Sequence, residues 1–437
     1  MRTIRDLKRE DGQLIMAFSA LLTVVALFTG LAIDTGILYV TKAKLSSAVD
    51  SACLTAVKNL SQGQTAATAV ATNVFNANMA GGGITPAITY PTDQYGNQQV
   101  KVVATANVNT LFIGLLPRYK TIPVSAQATA TRANLIMSIV LDRSGSMSSN
   151  NGGTALQSAV PTFVGDFNDS TDRVGMVSFA SNAAVNVPIG YNFKTSITSS
   201  VGAMKFSGGT FGTGAGTGSL QSSTMGPPLS LAQTQVDSVS TNPGENIVKV
   251  VVYFTDGLMN TIQDTFNCPS STLLNYGGYD SGSTVDIFDP NAGTDWGSYS
   301  STTGLPYDAN AHICKDSNQV KVTTFPSQQS GTQKSFSQSN VTAEAKYRAI
   351  QTAIAMRTES PTPVFIFTIG LGSGVSSSTQ AFLAQLANDP SYTSTYIPGQ
   401  PAGLFFYIPN CPSSTCTVAV QKAFQTIAAK VMLRLTQ

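Results

Sequence analysis

The hydrophobic pattern opens on a long uncharged stretch. Residues 13–33, QLIMAFSALLTVVALFTGLAI, carry no charge, and about 20 apolar residues are what a helix needs to cross a bilayer. Arg2, Arg5, Lys8 and Arg9 precede the run. That asymmetry predicts a cytoplasmic N-terminus and an exported remainder. A cleaved signal peptide is the alternative, since Gly30 and Ala32 are small. The length of the run, and Asp11 just before it, favour an uncleaved anchor. Residues 34–83 keep a helical period, with Leu45, Val49 and Ala56 on one face, until Gly81, Gly82 and Gly83 break it. Residues 84–132 alternate instead. Val100, Val102, Ala104 and Ala106 share a side and a second run covers 122–131, so two or more strands are expected with LFIGLLPRYK between them.

Beyond residue 133 strand and helix patterns take turns. The apolar run 135–141 reads as a buried central strand, followed by an amphipathic helix over 154–168 with Leu156, Val160, Phe163 and Phe167 inward. Strands are expected at 172–180, 247–254 and 363–370, and helices at 193–204, 341–357, 379–388 and 417–435. This alternation predicts an α/β fold: a doubly wound, mostly parallel sheet flanked by helices. The predicted organisation is a cytoplasmic head (1–12), a transmembrane helix (13–33), a stalk helix (34–83), a small β-rich connector (84–132) and the α/β domain (133–437). A polar insert over 258–340 interrupts that domain. It contains Trp296 and emerges from the end of a buried strand, so it is expected beside or over whatever lies there.

Composition narrows the classes. Charged residues make up 11% of the 437, against about 25% in an average soluble domain. A net charge of +2 gives no basic footprint for nucleic acid. His312 is the single histidine, which argues against a His-rich zinc site or a Ser-His-Asp hydrolase, while leaving Ser-Lys chemistry open. Of five cysteines, Cys268 and Cys314 fall within the insert and Cys411 and Cys416 bracket a short loop. Both pairs are expected as disulfides in an oxidising compartment. Cys53, on the stalk helix, is read as a small packing residue. The Gly-rich run 206–219 lacks the Lys-Ser/Thr pair of a phosphate loop.

The chemistry gathers where the strand 135–141 ends. Asp142, Ser144 and Ser146 follow it at alternating positions, offering hard oxygen donors for Mg²⁺, Mn²⁺ or Ca²⁺. In an open α/β sheet, ligands bind outside the carboxyl ends of strands, where this loop falls. The D-x-S-x-S pattern resembles the metal-ion-dependent adhesion site of von Willebrand factor type A domains, and the resemblance runs from here to the end of the chain. The strand 247–254 ends in Thr255-Asp256-Gly257, which is similar to the family's third metal loop, so Asp256 is expected to face Asp142. The family's second loop implies a hydroxyl from Ser223 or Thr224, with Thr210 as a rival; the Gly226 and Leu229 spacing favours the 223–224 pair. At the other end, the basic head, apolar run and segment IDTGILYVTKAKLSSAVDSACLTAV resemble TadE/TadG-like proteins of the Tad (Flp) pilus system.

Together the resemblances imply a single-pass bacterial inner-membrane protein with its bulk periplasmic or surface-exposed. It would bind an acidic residue of a pilus or surface protein through a divalent cation, Mg²⁺ first, and would not be an enzyme. Two alternatives stay open: a structural pilus-associated subunit with no metal-dependent binding, and a metal-dependent hydrolase, for which no base and oxyanion stabiliser are legible.

Overall fold

The computed structural model describes residues 4–79, 83–144, 146–149, 151–180, 183–206, 227–257, 262–267, 273–280, 285–289, 294–295, 324–335, 337–409, 411–412 and 415–435. The chain forms two compact units that meet in sequence between Arg132 and Ala133.

The first unit is built on one helix, α1 (Ile4–Asn59). Its N-terminal part is long and apolar enough to cross a membrane, with a mean hydropathy of 2.3 and large side chains turned outward. Further along, one stripe of α1 is buried: Leu45, Ala48, Val49, Ala52 and Ala56. These recur at helical spacing, and the alanines let neighbours approach closely. A 3₁₀ turn over Leu60–Gln62 ends at Gly63, whose φ of 98° only glycine adopts freely. Helix α2 (Gln64–Met79) then packs back through Ala67, Ala71 and Phe75. The strands β1 (Ala87–Thr89), β2 (Gln99–Asn109) and β3 (Thr121–Thr131) form an antiparallel sheet in the order β1-β2-β3. The β2–β3 pairing runs unbroken from Gln99↔Thr131 to Asn109↔Thr121. Val100, Val102, Ala104 and Ala106 face the helices and complete the same core. Stalk and connector, which the sequence pattern separates, therefore share one core, because neither can bury its apolar face alone. The break at Gly63 is also absent from the sequence reading.

In the second unit, β4 (Asn134–Asp142) leads through a short turn of helix, α3 (Ser146–Ser149), to α4 (Gly152–Gly165). There follow β5 (Arg173–Phe179), β6 (Ala183–Gly190), α5 (Phe193–Gly202), α6 (Pro228–Asp237) and β7 (Ile247–Thr255). Within 258–335 the described segments are mostly strands. They are β8 (Ile262–Asn267), β9 (Leu273–Asp280), β10 (Val285–Asp289) and β11 (Thr294–Asp295), in one antiparallel sheet, and the hairpin β12 (Thr324–Pro326) and β13 (Gln333–Ser335). The unit closes with α7 (Gln338–Arg357), β14 (Val364–Leu371), α8 (Ser377–Ala387), β15 (Phe405–Ile408) and α9 (Cys416–Arg434).

The main sheet has six strands in the order β15-β14-β7-β4-β5-β6. All pairs are parallel except β5–β6. Helices cover both faces, which is why all nine residues of β4 are buried. Leu135, Met137, Ile139 and Leu141 point to the side of α4, α5 and α9; Ile136 and Val140 point to the side of α6, α7 and α8. Two strands escape the sequence reading. Edge strand β6 is antiparallel and contains Pro188, which an edge tolerates because it has no inner partner on that side. β15 is four residues long and has too few positions to show a period.

Candidate metal centre

The chain leaves β4 toward β5 on one side, and β7 pairs with β4 on the other. The loops after β4 and β7 therefore diverge from adjacent strand ends, the arrangement that opens a binding crevice. Leu141 pairs with Phe254, so Asp142 and Thr255 come next to each other at the rim.

Asp142 is 3% exposed. Its Oδ1 accepts the Ser144 N–H at 2.8 Å, an Asx turn that reverses the chain right after the strand. Its Oδ2 accepts the Thr255 hydroxyl at 2.7 Å. Ser144 Oγ lies 3.0 Å from Ser146 Oγ, and Ser146 Oγ donates to Asp256 Oδ1 at 2.8 Å. Asp256 is also 3% exposed. Asp142, Ser144, Ser146 and Asp256 thus form one hydrogen-bonded group drawn from two loops. Ser223, Thr224 and Thr210 lie outside the described residues.

Glycines bring the surrounding chain in close. A Cβ on Gly152 would come within 2.7 Å of Leu371 and Met147, so the start of α4 can sit tight behind the Asp142–Ser146 turn. A Cβ on Gly374 would come within 2.7 Å of the Asp256 carbonyl oxygen, so the loop after β14 passes directly against the second acidic loop. Neither Gly374 nor the Thr255 bond to Asp142 enters the sequence reading. A hydroxyl residue directly before the aspartate was the available signal for Thr255; Gly374 has none, being remote in sequence.

Burial pushes the Asp142 carboxyl above its ordinary range, and the bonds from Ser144, Thr255 and the backbone only partly oppose this. Burial, and then the Asp142 charge, push the Tyr253 hydroxyl well up. Arg143 is buried too, and burial draws its pKa down. Two carboxylates in so dry a place repel each other unless a cation or a proton intervenes. Among the described residues no group of three or more His, Cys, Asp and Glu side chains forms. The group is instead two carboxylates with hydroxyls, hard oxygen donors throughout, and this donor chemistry fits Mg²⁺ or Mn²⁺ better than a soft metal.

Of the cysteines, Cys411 and Cys416 form a disulfide with Cα atoms 4.3 Å apart. Cys53 is a free, buried thiol whose Sγ lies 3.2 Å from the Val100 carbonyl oxygen, in keeping with a packing role. Cys268 and Cys314 lie outside the described residues.

Comparison with known proteins adds the following. The family model for the von Willebrand factor type A domain matches residues 137–271, and that for Flp pilus-assembly TadE/G-like proteins matches residues 12–62. No curated protein sequence matches the chain. Among solved structures, the pilus adhesin SpaC from Lactobacillus rhamnosus GG is 14% identical with a TM-score of 0.38; the alignment covers 80% of this chain and 35% of SpaC. This chain thus spans about a third of SpaC. The vWF domain of the type V pili tip protein Mfa5 from Porphyromonas gingivalis is 13% identical with a TM-score of 0.38, covering 70% of this chain and 98% of that one. Manganese-loaded TRAP protein from Plasmodium vivax is 14% identical with a TM-score of 0.32, covering 67% and 74%. The mostly parallel sheet flanked by helices and the long apolar N-terminal helix agree with the two family matches: the chain contains a von Willebrand factor type A domain, preceded by a TadE/G-like segment.

Proposed function

We propose that this chain is a membrane-anchored pilus-assembly or surface-adhesion protein, not an enzyme, that binds an acidic group of a protein partner through a divalent cation. The observation that carries this reading is the hydrogen-bonded group of Asp142, Ser144, Ser146 and Asp256 at the ends of β4 and β7. Ser144 and Ser146 would hold the ion with Asp142 and Asp256, directly or through water, and Ser223 or Thr224 would add a further hydroxyl. A bound cation supplies an electrophilic position open to a partner's carboxylate. The protein's own contribution is to keep the oxygens converged: Thr255 orients Asp142, and Ser146 orients Asp256. The two family matches support an anchor and a binding domain in one chain. The N-terminal run would place α1 in the inner membrane, N-terminus inside, with the type A domain beyond it.

The test is capture of sheared surface filaments by the full chain, immobilised in detergent, in Mg²⁺ and in chelator. Wild type should retain filaments in Mg²⁺ only, and Asp142→Ala and Asp256→Ala in neither. Retention by wild type that is equal in Mg²⁺ and in chelator, or retention by both variants equal to that of wild type, sinks the metal-dependent reading and favours a structural subunit.

A further inference from the structure

The tip of the β2–β3 hairpin is more apolar than an exposed turn should be. Leu111, Phe112, Leu115, Leu116 and Tyr119 lie within nine residues, and they are 65%, 46%, 78%, 59% and 44% exposed. The tip has no acidic residue, while Arg118 and Lys120 flank its end. A contiguous patch of this kind marks a contact surface.

Its position says which. Strands β2 and β3 lie along α1, and Lys42 Nζ of the helix donates to the Ser125 carbonyl. Eleven residues of strand reach about 36 Å. That is close to the roughly 33 Å of helix between Ala52 and Gly30, so the hairpin brings its tip down to the end of the apolar run. There the Phe112 side chain packs directly on the helix: a Cβ on Gly30 would come within 2.5 Å of it. Gly30 belongs to the uncharged run 13–33, whose neighbouring Leu27, Phe28 and Leu31 are exposed. The tip is therefore continuous with the surface that a bilayer covers.

A second observation is independent of the first. Backbone that enters the apolar part of a membrane must bring its own hydrogen bonds. The N–H groups of Leu111, Phe112 and Ile113 all donate to the Asp34 carboxylate, at 2.8, 2.9 and 2.6 Å. Asp34 is 1% exposed and stands one turn beyond Gly30. The N–H groups of Leu115, Leu116 and Tyr119 end on carbonyls within the tip, and Thr110 Oγ1 closes on the Tyr119 carbonyl at 2.6 Å. The 3₁₀ turns Ile113–Leu115 and Pro117–Tyr119 thus leave little backbone in need of water.

We infer that the β2–β3 tip is a second membrane contact, seated in the leaflet where the apolar run of α1 ends. Leu111, Phe112, Leu115 and Leu116 enter among acyl chains, Tyr119 lies at the headgroups, and Arg118 and Lys120 meet lipid phosphates. The membrane contact is then a helix with a rigid outrigger, which fixes the tilt and rotation of α1. This rests on the reading of α1 as a membrane anchor.

The test uses the full chain in vesicles of phosphatidylcholine and phosphatidylglycerol with brominated acyl chains, which quench tryptophan on contact. In a Trp296→Phe background, three single-tryptophan variants are compared. Leu22→Trp reports the helix, Leu115→Trp the tip, and Thr129→Trp the far end of β3. All three positions are exposed, so the fold should tolerate them. The first two should each lose emission relative to vesicles without bromine, because groups seated among acyl chains meet the quencher, while the third is unchanged. Quenching at Leu22→Trp without quenching at Leu115→Trp overturns the tip contact and leaves the anchor standing. No quenching at either overturns both. A blue-shifted but unquenched Leu115→Trp would put protein rather than lipid on the tip, and also overturns the inference.

Discussion

Asp256→Asn separates the two states of the proposed centre. The amide keeps an oxygen to accept from Ser146 Oγ, now 2.8 Å from Oδ1, but removes one of two carboxylates at adjacent strand ends. Neighbouring strands lie about 4.8 Å apart. Carboxylates on their ends are then about 5–8 Å apart, where unit charges repel by roughly 2–3 kcal/mol at an effective dielectric of about 20. Both residues are 3% exposed, so water screens this only in part. In chelator the variant should melt a few degrees above wild type, since about 1 kcal/mol moves Tm by a few degrees in a domain of this size. Magnesium should reverse the order. At a hundred times Kd a bound ion adds about 2.7 kcal/mol to wild type, and the variant loses that in proportion to its weakened affinity. Calorimetry of the full chain in detergent, following the type A transition with chelator and with Mg²⁺, reads both effects. Equal magnesium-induced shifts in the two proteins would refute the assignment of Asp256. A variant that melts below wild type in chelator would refute the repulsion argument.

Two further predictions concern the scaffold. Phe424 on α9 is 1% exposed, with ring centroids 4.9 Å from Phe163 and 6.2 Å from Phe254; Phe424→Ala should cost about 3–5 kcal/mol in the type A unfolding transition, read by denaturant titration, and leave the helix-and-hairpin unit unchanged. Glu344 is buried, which raises its carboxyl, but bonds from Ser327, Arg348 and the Gln328 N–H outweigh burial and hold it below its ordinary value. A folded-state value below the unfolded one stabilises above the unfolded pKa and is lost as pH falls through the folded one. The stability gap between wild type and Glu344→Gln should therefore be full at neutral pH and close below about pH 4; a gap independent of pH in acid titration would contradict this.

The parts legible in the sequence are those set by local period and by position in the chain. A nine-residue strand buried on both faces has to be apolar throughout, and β4 announces itself for that reason. The D-x-S-x-S turn is legible because Asp142 and Ser144 bond within two residues. That Asp256 meets Ser146 is a different matter. The two are 110 residues apart, and only the parallel pairing of β4 with β7 brings them together. Thr255 on Asp142 and Gly374 against Asp256 follow from the same packing; Thr255 is marked only as a hydroxyl residue directly before an aspartate, and Gly374 not at all. The first unit shows the contrast most clearly. Sequence alone determined an apolar run, a helical stripe and an alternating pair of strands, each from its own period. Only the tertiary structure decided that these make one core, that Asp34 is the acceptor for a turn 77 residues away, and that LFIGLLPRYK lies beside the apolar run. Period reports which face of an element is buried. What buries it depends on strand length, register and small residues such as Gly30, and these act only once the chain has come back on itself.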